Sequence, residues 1–349
     1  MPTPVPAPAP AATVSREVRL ATLPEGLPGP EHFTVVETPL PVPAEGEALI
    51  RNRWFQVLPA LRTLIGGGLE GSTPFPALHP GDTLFGPAVG EVVSAPSGSD
   101  LRAGDLVLHF QGWREYAALP AAECTPLADT LPDPVAHLAM GSTAYGALTR
   151  AAQVRPGDTV LVTGGAGSVG SLAGQIARLL GAGRVIGSTG SPAKADRMVS
   201  ELGYDAAVLR ASGPTIAEQL AKAAPDGIDV LLDNVGGEQL QAAVTAARPG
   251  ARFALVGALA GQLSPDGDGT TGPVEIDSFQ VILKRITIRG FSGQEDPTVL
   301  PEWNERFGDW LRSGRITFPH VRIPGIENAP RALHEVIGGH HLGAVIVEL

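Results

Sequence analysis

Cysteine is almost absent from the sequence: Cys124 is the only one in 349 residues. A single cysteine excludes an intramolecular disulfide and a zinc site built from several thiolates. No His-x-x-x-His pair offers an alternative set of ligands. We therefore predict no catalytic metal, and a reducing, cytoplasmic setting fits this composition.

Positive charge is also scarce, since 25 Lys and Arg stand against 36 Asp and Glu, a formal net charge of −11. Binding to a phosphate backbone needs a surplus of Lys and Arg, which excludes nucleic acid as the main partner. Uncharged apolar runs of membrane-spanning length are missing as well. We expect a soluble protein with no membrane partner.

Glycine and proline, by contrast, are plentiful, with 44 Gly and 33 Pro. Their number indicates many turns, while the length favours two domains. Residues 1–14 are rich in Pro and Ala and lack the basic and apolar regions of a signal peptide. We interpret them as a flexible tail.

Between residues 15 and 134, short apolar runs alternate with Pro and Gly, which is typical of a compact β-rich domain. The runs are Glu47 to Arg51, Ala88 to Ser94, Asp105 to Phe110 and Glu115 to Leu119. His79 lies in a Pro-Gly-Asp turn, and we interpret it as a turn histidine instead of a site residue.

The stretch from Thr159 to Leu180 predicts a buried strand, a glycine turn and a helix. Gly165, Gly167 and Gly170 form G-x-G-x-x-G, the spacing that brings the backbone close to a pyrophosphate at a helix N-terminus. A second strand, Arg184 to Ser188, follows the helix, as a βαβ unit requires. We therefore predict a dinucleotide site here.

Strands and helices continue to alternate through residues 135–300, which predicts a doubly wound parallel sheet of about six strands. The later elements are a helix near Pro192 to Leu202, a strand at Ala206 to Leu209, a helix around Thr215 to Ala224, a strand at Ile228 to Asp233, a helix at about Glu238 to Ala247, and strands at Arg252 to Val256 and Arg285 to Gly290.

The second strand ends without the Asp or Glu that an NAD-selective site places against the adenosine ribose. Ser188, Gly190 and Ser191 stand there instead, and two cations, Lys194 and Arg210, follow. These cations are either exposed surface charges or ligands of a 2′-phosphate. Together they favour NADPH over NADH.

The loop from Gly261 to Val274 is polar and glycine-rich, so it is either a disordered connection or a lid over the site. Its position after the carboxyl end of a strand favours a lid. Beyond Pro301 the pattern predicts an amphipathic helix, a strand, a helix and a final strand, Leu342 to Leu349. Trp303, Phe307, Trp310 and Leu311 fall at helical spacing, which indicates core packing.

Several motifs together are similar to one family. They are Asp233-Asn234-Val235-Gly236-Gly237, Gly112-Trp113, Thr143-Ala144-Tyr145, Lys284-Arg285 with Gly290-Phe291, and Trp310-Leu311 with Gly314 and Ile316. From about Arg16 to Leu349 the chain resembles the zinc-independent medium-chain dehydrogenases/reductases. Within them it resembles the leukotriene B4 12-hydroxydehydrogenase/prostaglandin reductase and alkenal double-bond reductase branch.

This resemblance implies an α/β protein in which a GroES-like domain, residues 15–134 completed by 301–349, accompanies a Rossmann domain, residues 135–300. It also implies NADPH and edge-to-edge homodimers. The strand predicted at Arg285 to Phe291 would supply the exposed edge. The residues assigned to the cofactor are Met140, Thr143, Gly165, Gly167, Ser168, Val169, Gly170, Ser188, Gly190, Ser191, Lys194, Arg210, Asn234, Gly257, Ala258, Leu259, Phe291 and His341.

The chain departs from the family pattern around the expected cleft. Gln262 stands where relatives carry a tyrosine near the substrate carbonyl, and residues 58–62, Leu-Pro-Ala-Leu-Arg, replace an Asp-Pro-Tyr-Met-Arg stretch. In the final Gly-x-Asn-x-Gly-Lys motif, His341 replaces Asn and Ala344 replaces Lys. Gln262 is the candidate catalytic donor, with an exposed loop glutamine as the alternative.

The family implies hydride transfer to the β-carbon of an α,β-unsaturated aldehyde or ketone. Leu58, Ala60 and Leu259 near the cleft favour a hydrophobic small-molecule substrate. An NADPH quinone oxidoreductase and a noncatalytic NADPH-binding protein are the alternative functions. Loss of the family tyrosines favours the noncatalytic alternative, whereas the sequence does not separate enones from quinones.

Overall fold

The first part of the chain is made mainly of β-strands. The structure, a computed structural model, describes residues 13–69, 76–210, 213–293 and 296–349. In chain order the first elements are β1 (Val14–Leu20), β2 (Phe33–Pro39), β3 (Glu47–Val57), α1 (Leu61–Ile65), β4 (Ala88–Ser94), β5 (Leu106–His109), β6 (Tyr116–Pro120) and β7 (Thr125–Pro126). The predicted tail lies outside the described residues except for Thr13 and Val14, and Val14 already belongs to β1.

Helices and strands then alternate through the middle of the chain. The elements are α2 (Gly141–Gly146), β8 (Thr159–Val162), α3 (Gly170–Leu179), β9 (Arg184–Thr189), α4 (Pro192–Glu201), β10 (Ala206–Leu209), α5 (Ile216–Ala223), β11 (Ile228–Asp233), α6 (Gly237–Ala246), β12 (Ala247–Leu255), α7 (Leu259–Gln262), α8 (Ser278–Lys284) and β13 (Thr287–Gly290).

Six of these strands form a parallel sheet in the order β10-β9-β8-β11-β12-β13. This order, which reverses between β8 and β11, is that of a doubly wound dinucleotide-binding fold, and ligands bind where it reverses. The apolar runs explain the burial, because Val160 and Val162 on β8 lie beside Val230 and Leu232 on β11 with no exposed surface. The predicted α/β fold is confirmed.

The chain closes with α9 (Val299–Arg312), β14 (His320–Pro324), α10 (Ala329–Ile337) and β15 (Ala344–Glu348). β14 and β15 return to the first part of the chain, where they extend a mostly antiparallel seven-stranded sheet in the order β14-β15-β3-β4-β5-β7, with β6 paired to β3. In sequence, the part of the chain that forms the parallel sheet is therefore flanked by two segments whose strands belong to one and the same sheet.

The aromatic residues of α9 pack in the core, as predicted. Trp303 stacks on Phe307 with ring centroids 4.4 Å apart, and Tyr145 lies 6.0 Å from Trp303. Gly141 is required at this contact, because a Cβ there would lie 1.9 Å from the indole ring of Trp303. This cluster attaches α9 to α2.

Several predicted elements differ from the structure in their bounds, and one backbone feature was not predicted at all. The strand predicted at Arg285 to Gly290 is β13, which begins at Thr287. It starts later because Arg285 adopts a left-handed conformation (φ 51°) that ends α8. After Gly146, α2 continues as a π-helical turn, Ala147–Ala151. Apolar spacing alone does not reveal either change of backbone geometry.

Candidate functional site

The glycine turn between β8 and α3 lies at the carboxyl edge of the parallel sheet. Gly170 allows α3 to begin against the turn, because a Cβ there would lie 2.2 Å from the carbonyl oxygen of Gly164. The first N–H groups of a helix have no acceptor within it, and they carry the positive end of the helix dipole. The turn therefore offers N–H donors to an anion.

Tyr204 packs against this turn and does not line the cavity. Its hydroxyl donates to the carbonyl oxygen of Gly170 at 2.7 Å, and the ring is fully buried, which raises the pKa of the phenol. A Cβ at Gly165 would lie 2.5 Å from Met198 and 3.0 Å from the Tyr204 hydroxyl. The first fingerprint glycine therefore packs on the helix side, where a side chain would displace the turn.

Two cations lie at the carboxyl end of β9. The Nζ of Lys194 donates to the carbonyl oxygen of Gly339 and lies 3.5 Å from that of His341, and Arg210 packs beside Gly190. Burial, and then the charge of Arg210, lowers the pKa of Lys194. A phosphate between the two cations would relieve their repulsion.

The segment before β15 crosses the same edge of the sheet. The N–H of Gly343 donates to the carbonyl oxygen of Ala166 at 2.8 Å, and His341 contacts the Glu335 carboxylate through Nε2 at 2.8 Å. Burial acts to raise the pKa of Glu335, but hydrogen bonds from His341 and Arg331 outweigh it and lower that pKa. The end of the chain thus forms one wall of the nucleotide turn.

Side-chain bonds hold the central strands in register at this edge. Thr163 donates through its hydroxyl to Oδ1 of Asp233, at 2.5 Å. Asn234 donates through Nδ2 to the carbonyl oxygen of Thr163 at 2.7 Å. These bonds explain why the polar sequence Asp-Asn follows an apolar strand, and they fix the loops that leave β8 and β11.

These elements surround a cavity of about 500 Å³, a volume typical of small-ligand sites. Most of the predicted site residues line it: Met140, Thr143, Gly167, Ser168, Val169, Gly170, Ser188, Gly190, Lys194, Arg210, Asn234, Gly257, Leu259, Gln262 and His341. Leu58 and Ala60 line it as well, so the apolar residues and the cations share one cavity.

The structure does not place Gly165, Ser191, Ala258 and Phe291 in the lining of the cavity. Gly165 faces Met198, and the Ser191 side chain caps α4 by accepting from the Lys194 N–H. Ala258 precedes α7 and contacts the chain at Gly272, and the Phe291 ring packs on Gly146. Each of the four is used locally in packing or capping.

Gln262 lies in α7 and lines the cavity. Its Nε2 donates to the Thr63 hydroxyl at 3.2 Å. The amide has a second hydrogen on Nε2. The segment that follows Gln262, for which the sequence leaves a disordered connection or a lid as alternatives, is ordered enough to bury Gly269 against α1. This segment packs because Arg62 and Thr63 donate hydrogen bonds to its carbonyl oxygens.

Sequence reasoning missed Gln56. This residue of β3 is 1 % exposed, and its Nε2 donates to the Ser168 hydroxyl of the glycine turn at 2.9 Å. The signal was a polar amide within the apolar run Trp-Phe-Gln-Val-Leu, which a buried strand tolerates only when the amide has a partner. Gln56 joins the seven-stranded sheet to the nucleotide turn.

No group of three or more His, Cys, Asp and Glu side chains is arranged to hold a metal ion within the described ranges. The helices of the same ranges include none that is long and apolar enough to cross a membrane. His79 is exposed and contacts Asp82 in its turn, as interpreted from the sequence.

A six-stranded sheet of this order, with a glycine turn at its reversal point and a β-rich partner completed by the end of the chain, defines a class of oxidoreductase. Residues 168–310 match the family profile described as "Zinc-binding dehydrogenase", and residues 16–127 match "N-terminal domain of oxidoreductase". The chain belongs to the medium-chain dehydrogenase/reductase superfamily.

Individual relatives match almost the whole chain. The NADPH-dependent curcumin reductase of Escherichia coli (strain K12) is 30% identical over 335 residues, 95% of each chain. The 2-alkenal reductase (NADP(+)-dependent) of Nicotiana tabacum is 28% identical over 306 residues, 86% of this chain and 87% of that one. The structure of CurA in complex with NADPH from Vibrio vulnificus superposes with a TM-score of 0.84 at 30% identity, covering 95% and 98%.

Proposed function

We propose that this oxidoreductase is an NADPH-dependent reductase of carbon–carbon double bonds that delivers hydride to the β-carbon of an α,β-unsaturated aldehyde or ketone. One observation carries the proposal. A single cavity is lined by two cations, Lys194 and Arg210, by apolar side chains, and by the amide of Gln262. The relatives named curcumin reductase and 2-alkenal reductase support the same chemistry.

The nucleotide end of the cavity fits NADPH. The side-chain-free surface at Gly167 and the N-terminus of α3 suit a pyrophosphate, while Lys194 and Arg210 suit the 2′-phosphate. Ser188 is occupied locally, since it accepts from the Gly164 N–H and donates to Gln239. When bound, NADPH supplies the hydride for the reaction.

The substrate end fits an apolar molecule with one oxygen. Leu58, Ala60 and Leu259 line it and exclude water from the reacting carbons. The second amide hydrogen of Gln262 donates to the carbonyl oxygen as negative charge develops there in the enolate. Water supplies the proton that the α-carbon then takes, which leaves a saturated carbonyl product.

The label from deuterated NADPH tests this proposal. We would incubate the enzyme with a cyclic enone and with 4R- or 4S-deuterated NADPH and analyse the product. Deuterium on the β-carbon of a saturated ketone is the expected result. Deuterium on the carbinol carbon of an allylic alcohol would contradict it, and turnover with quinones alone would identify a quinone reductase.

The proposal contains no metal. Elemental analysis of the active enzyme is expected to find no stoichiometric zinc. Stoichiometric zinc whose removal by a chelator abolishes enone reduction would show that a Lewis acid takes part in the reaction.

A further inference from the structure

Helix α1 contains two buried polar side chains that contact the same neighbouring segment. Arg62 and Thr63 are each 3% exposed. The guanidinium of Arg62 donates to the carbonyl oxygens of Asp268 at 2.7 Å and Gly267 at 2.5 Å. The Thr63 hydroxyl donates to the carbonyl oxygen of Gly269 at 2.8 Å. Residues 263–269, the docked segment, are thus held by three successive carbonyl groups.

Arg62 makes these bonds without a carboxylate partner. Within the described parts of the chain no Asp or Glu oxygen lies at ion-pair distance from its guanidinium, and its Nε has no acceptor. Burial lowers the pKa of Arg62, and the Asp268 charge opposes that effect. The Asp268 carboxylate itself accepts from the N–H and hydroxyl of Thr270. A charge buried among carbonyl groups is costly, so its placement fits a specific positional role.

The approach of α1 to the docked segment leaves no room for adjustment. A Cβ at Gly66 would lie 1.6 Å from the carbonyl oxygen of Asp268, and Gly269, with φ +83°, would place a Cβ 3.0 Å from Cγ of Arg62. Glycine is needed at both positions. The contact therefore has one well-defined geometry, which is a requirement for positioning a neighbouring group.

Both walls of the substrate end are attached to α1. Residues 58–60 are joined to it by backbone bonds, including Thr63 N–H to the carbonyl oxygen of Ala60 at 3.0 Å. A second part of the lining, α7, continues directly into the docked segment, and Gln262 also donates to Thr63. Thr63 is therefore bonded to both walls at once.

We infer that Arg62 and Thr63 are positioning residues that clamp the docked segment to α1, fix the amide of Gln262, and set the width of the substrate end. The clamp selects substrates by size. This inference rests on the proposed function, but the order of the docked segment can be measured independently of any turnover.

Hydrogen–deuterium exchange gives that independent measurement. Thr63→Val is nearly isosteric, and Arg62→Met keeps the apolar stem of the side chain. Each is expected to accelerate exchange of the amides in residues 263–269 at least tenfold, with no change in α3. Thr63→Ser, which keeps the hydroxyl, should restore protection. Thr38→Val is the matched control, since Thr38 donates to the Ser15 carbonyl far from the cavity.

Kinetics then tests the size selection. The ratio of kcat/KM for 2-cyclohexenone to that for a phenyl-substituted enone is expected to change at least fivefold in Thr63→Val, whereas the Kd for NADPH stays within twofold. If Arg62→Met fails to fold, Thr63→Val decides the result alone. Unchanged exchange in residues 263–269, or an unchanged ratio with faster exchange, overturns the clamp. If the wild-type enzyme reduces no enone, the proposed function is refuted. The hydrogen–deuterium exchange of residues 263–269 then still shows whether Arg62 and Thr63 hold the docked segment.

Discussion

Nε2 of Gln56 lies 2.9 Å from the hydroxyl oxygen of Ser168, so a strand of the seven-stranded sheet is hydrogen-bonded to the nucleotide turn. Gln56 is buried, and its Oε1 has no partner among the described residues. A buried acceptor without a partner lowers stability, which is tolerated when the group serves another purpose. Here the amide holds the Ser168 hydroxyl against β3.

Replacement of Gln56 by Met tests this link. The thioether keeps the length of the side chain but cannot donate to Ser168. A hydrogen bond contributes about 1 kcal/mol, so the Kd for NADPH is expected to rise about fivefold. The melting temperature should change little, because the variant also removes the unpaired Oε1. Titration by NADPH fluorescence measures the Kd, and Gln241→Met, at an exposed glutamine, is the control.

Lys194 should discriminate between the two nicotinamide cofactors. Each charge-assisted bond to a phosphate contributes ~1.5–3 kcal/mol, so Lys194→Ala is expected to weaken NADPH binding about tenfold to a hundredfold and to leave NADH nearly unchanged. Calorimetric titration with both cofactors measures the effect. Lys222→Ala, which removes an exposed lysine from α5, is the control. Equal losses for NADPH and NADH would remove Lys194 from the phosphate site.

Gln262 is expected to act in the chemical step. Loss of one preorganised donor to an oxyanion commonly slows turnover by ~10²-fold, and we expect Gln262→Ala to lower kcat by this factor at saturating enone. Single-turnover mixing with NADPH follows the hydride step directly. A rate within twofold of the wild type would show that Gln262 only lines the cavity.

His109 makes the stability of the β-rich part depend on pH. Its Nδ1 accepts from the Gln111 N–H, so Nε2 carries the proton and donates to Oδ1 of Asn52 at 2.8 Å. Burial, and then the charge of Arg114, lowers the pKa of His109 from 6.5 to about 4. As the pH falls, His109 therefore takes up its proton in the unfolded chain before it does so in the folded protein. This difference lowers the free energy of unfolding by up to about 3 kcal/mol between the two pKa values.

Urea unfolding at pH 7, 5.5 and 4.5 measures this dependence. His109→Gln is expected to be less stable than the wild type at pH 7, and the difference should narrow on acidification because the variant has no imidazole to protonate. The same substitution at the exposed His79 serves as the control. A difference that stays constant from pH 7 to 4.5 would contradict the assignment.

We predict that the protein is a homodimer joined through β13. In the described residues this strand pairs only with β12, and the preceding helix exposes three large apolar side chains, Phe279 (63%), Ile282 (68%) and Leu283 (56%). An exposed edge beside an apolar patch favours association. Light scattering should give twice 35.9 kDa for the wild type and a lower mass for Ile282→Glu. Val42→Glu, at an exposed apolar residue elsewhere, should not change the mass.

The parallel sheet and its nucleotide turn were predictable because their signals are local. Apolar runs mark β8 and β11, and three spaced glycines mark the turn between β8 and α3. The position of Lys194 in the cavity lining was predictable for the same reason, since this residue closely follows the end of β9. Each of these signals lies within one βαβ unit.

The substrate end was less predictable because its partners are distant in sequence. Arg62 and the docked segment are separated by about two hundred residues, as the contact of Arg62 with Asp268 shows. A polar glycine-rich stretch gives no sign that a buried guanidinium will donate to its carbonyl oxygens. The favoured lid over the site stays a prediction, and the packing of Gly269 against α1 could not be read from the sequence.

The bond from Gly343 to Ala166 has a consequence for biosynthesis. One wall of the nucleotide turn is formed by residues that leave the ribosome long after the turn itself. The same late residues supply the carbonyl groups that accept from Lys194. A nascent chain that has reached only β13 possesses the fingerprint but lacks that wall. We therefore expect the nucleotide to stabilise the protein only after residue 343 has emerged, so that the cellular NADPH pool acts on the last stage of folding and not on the first.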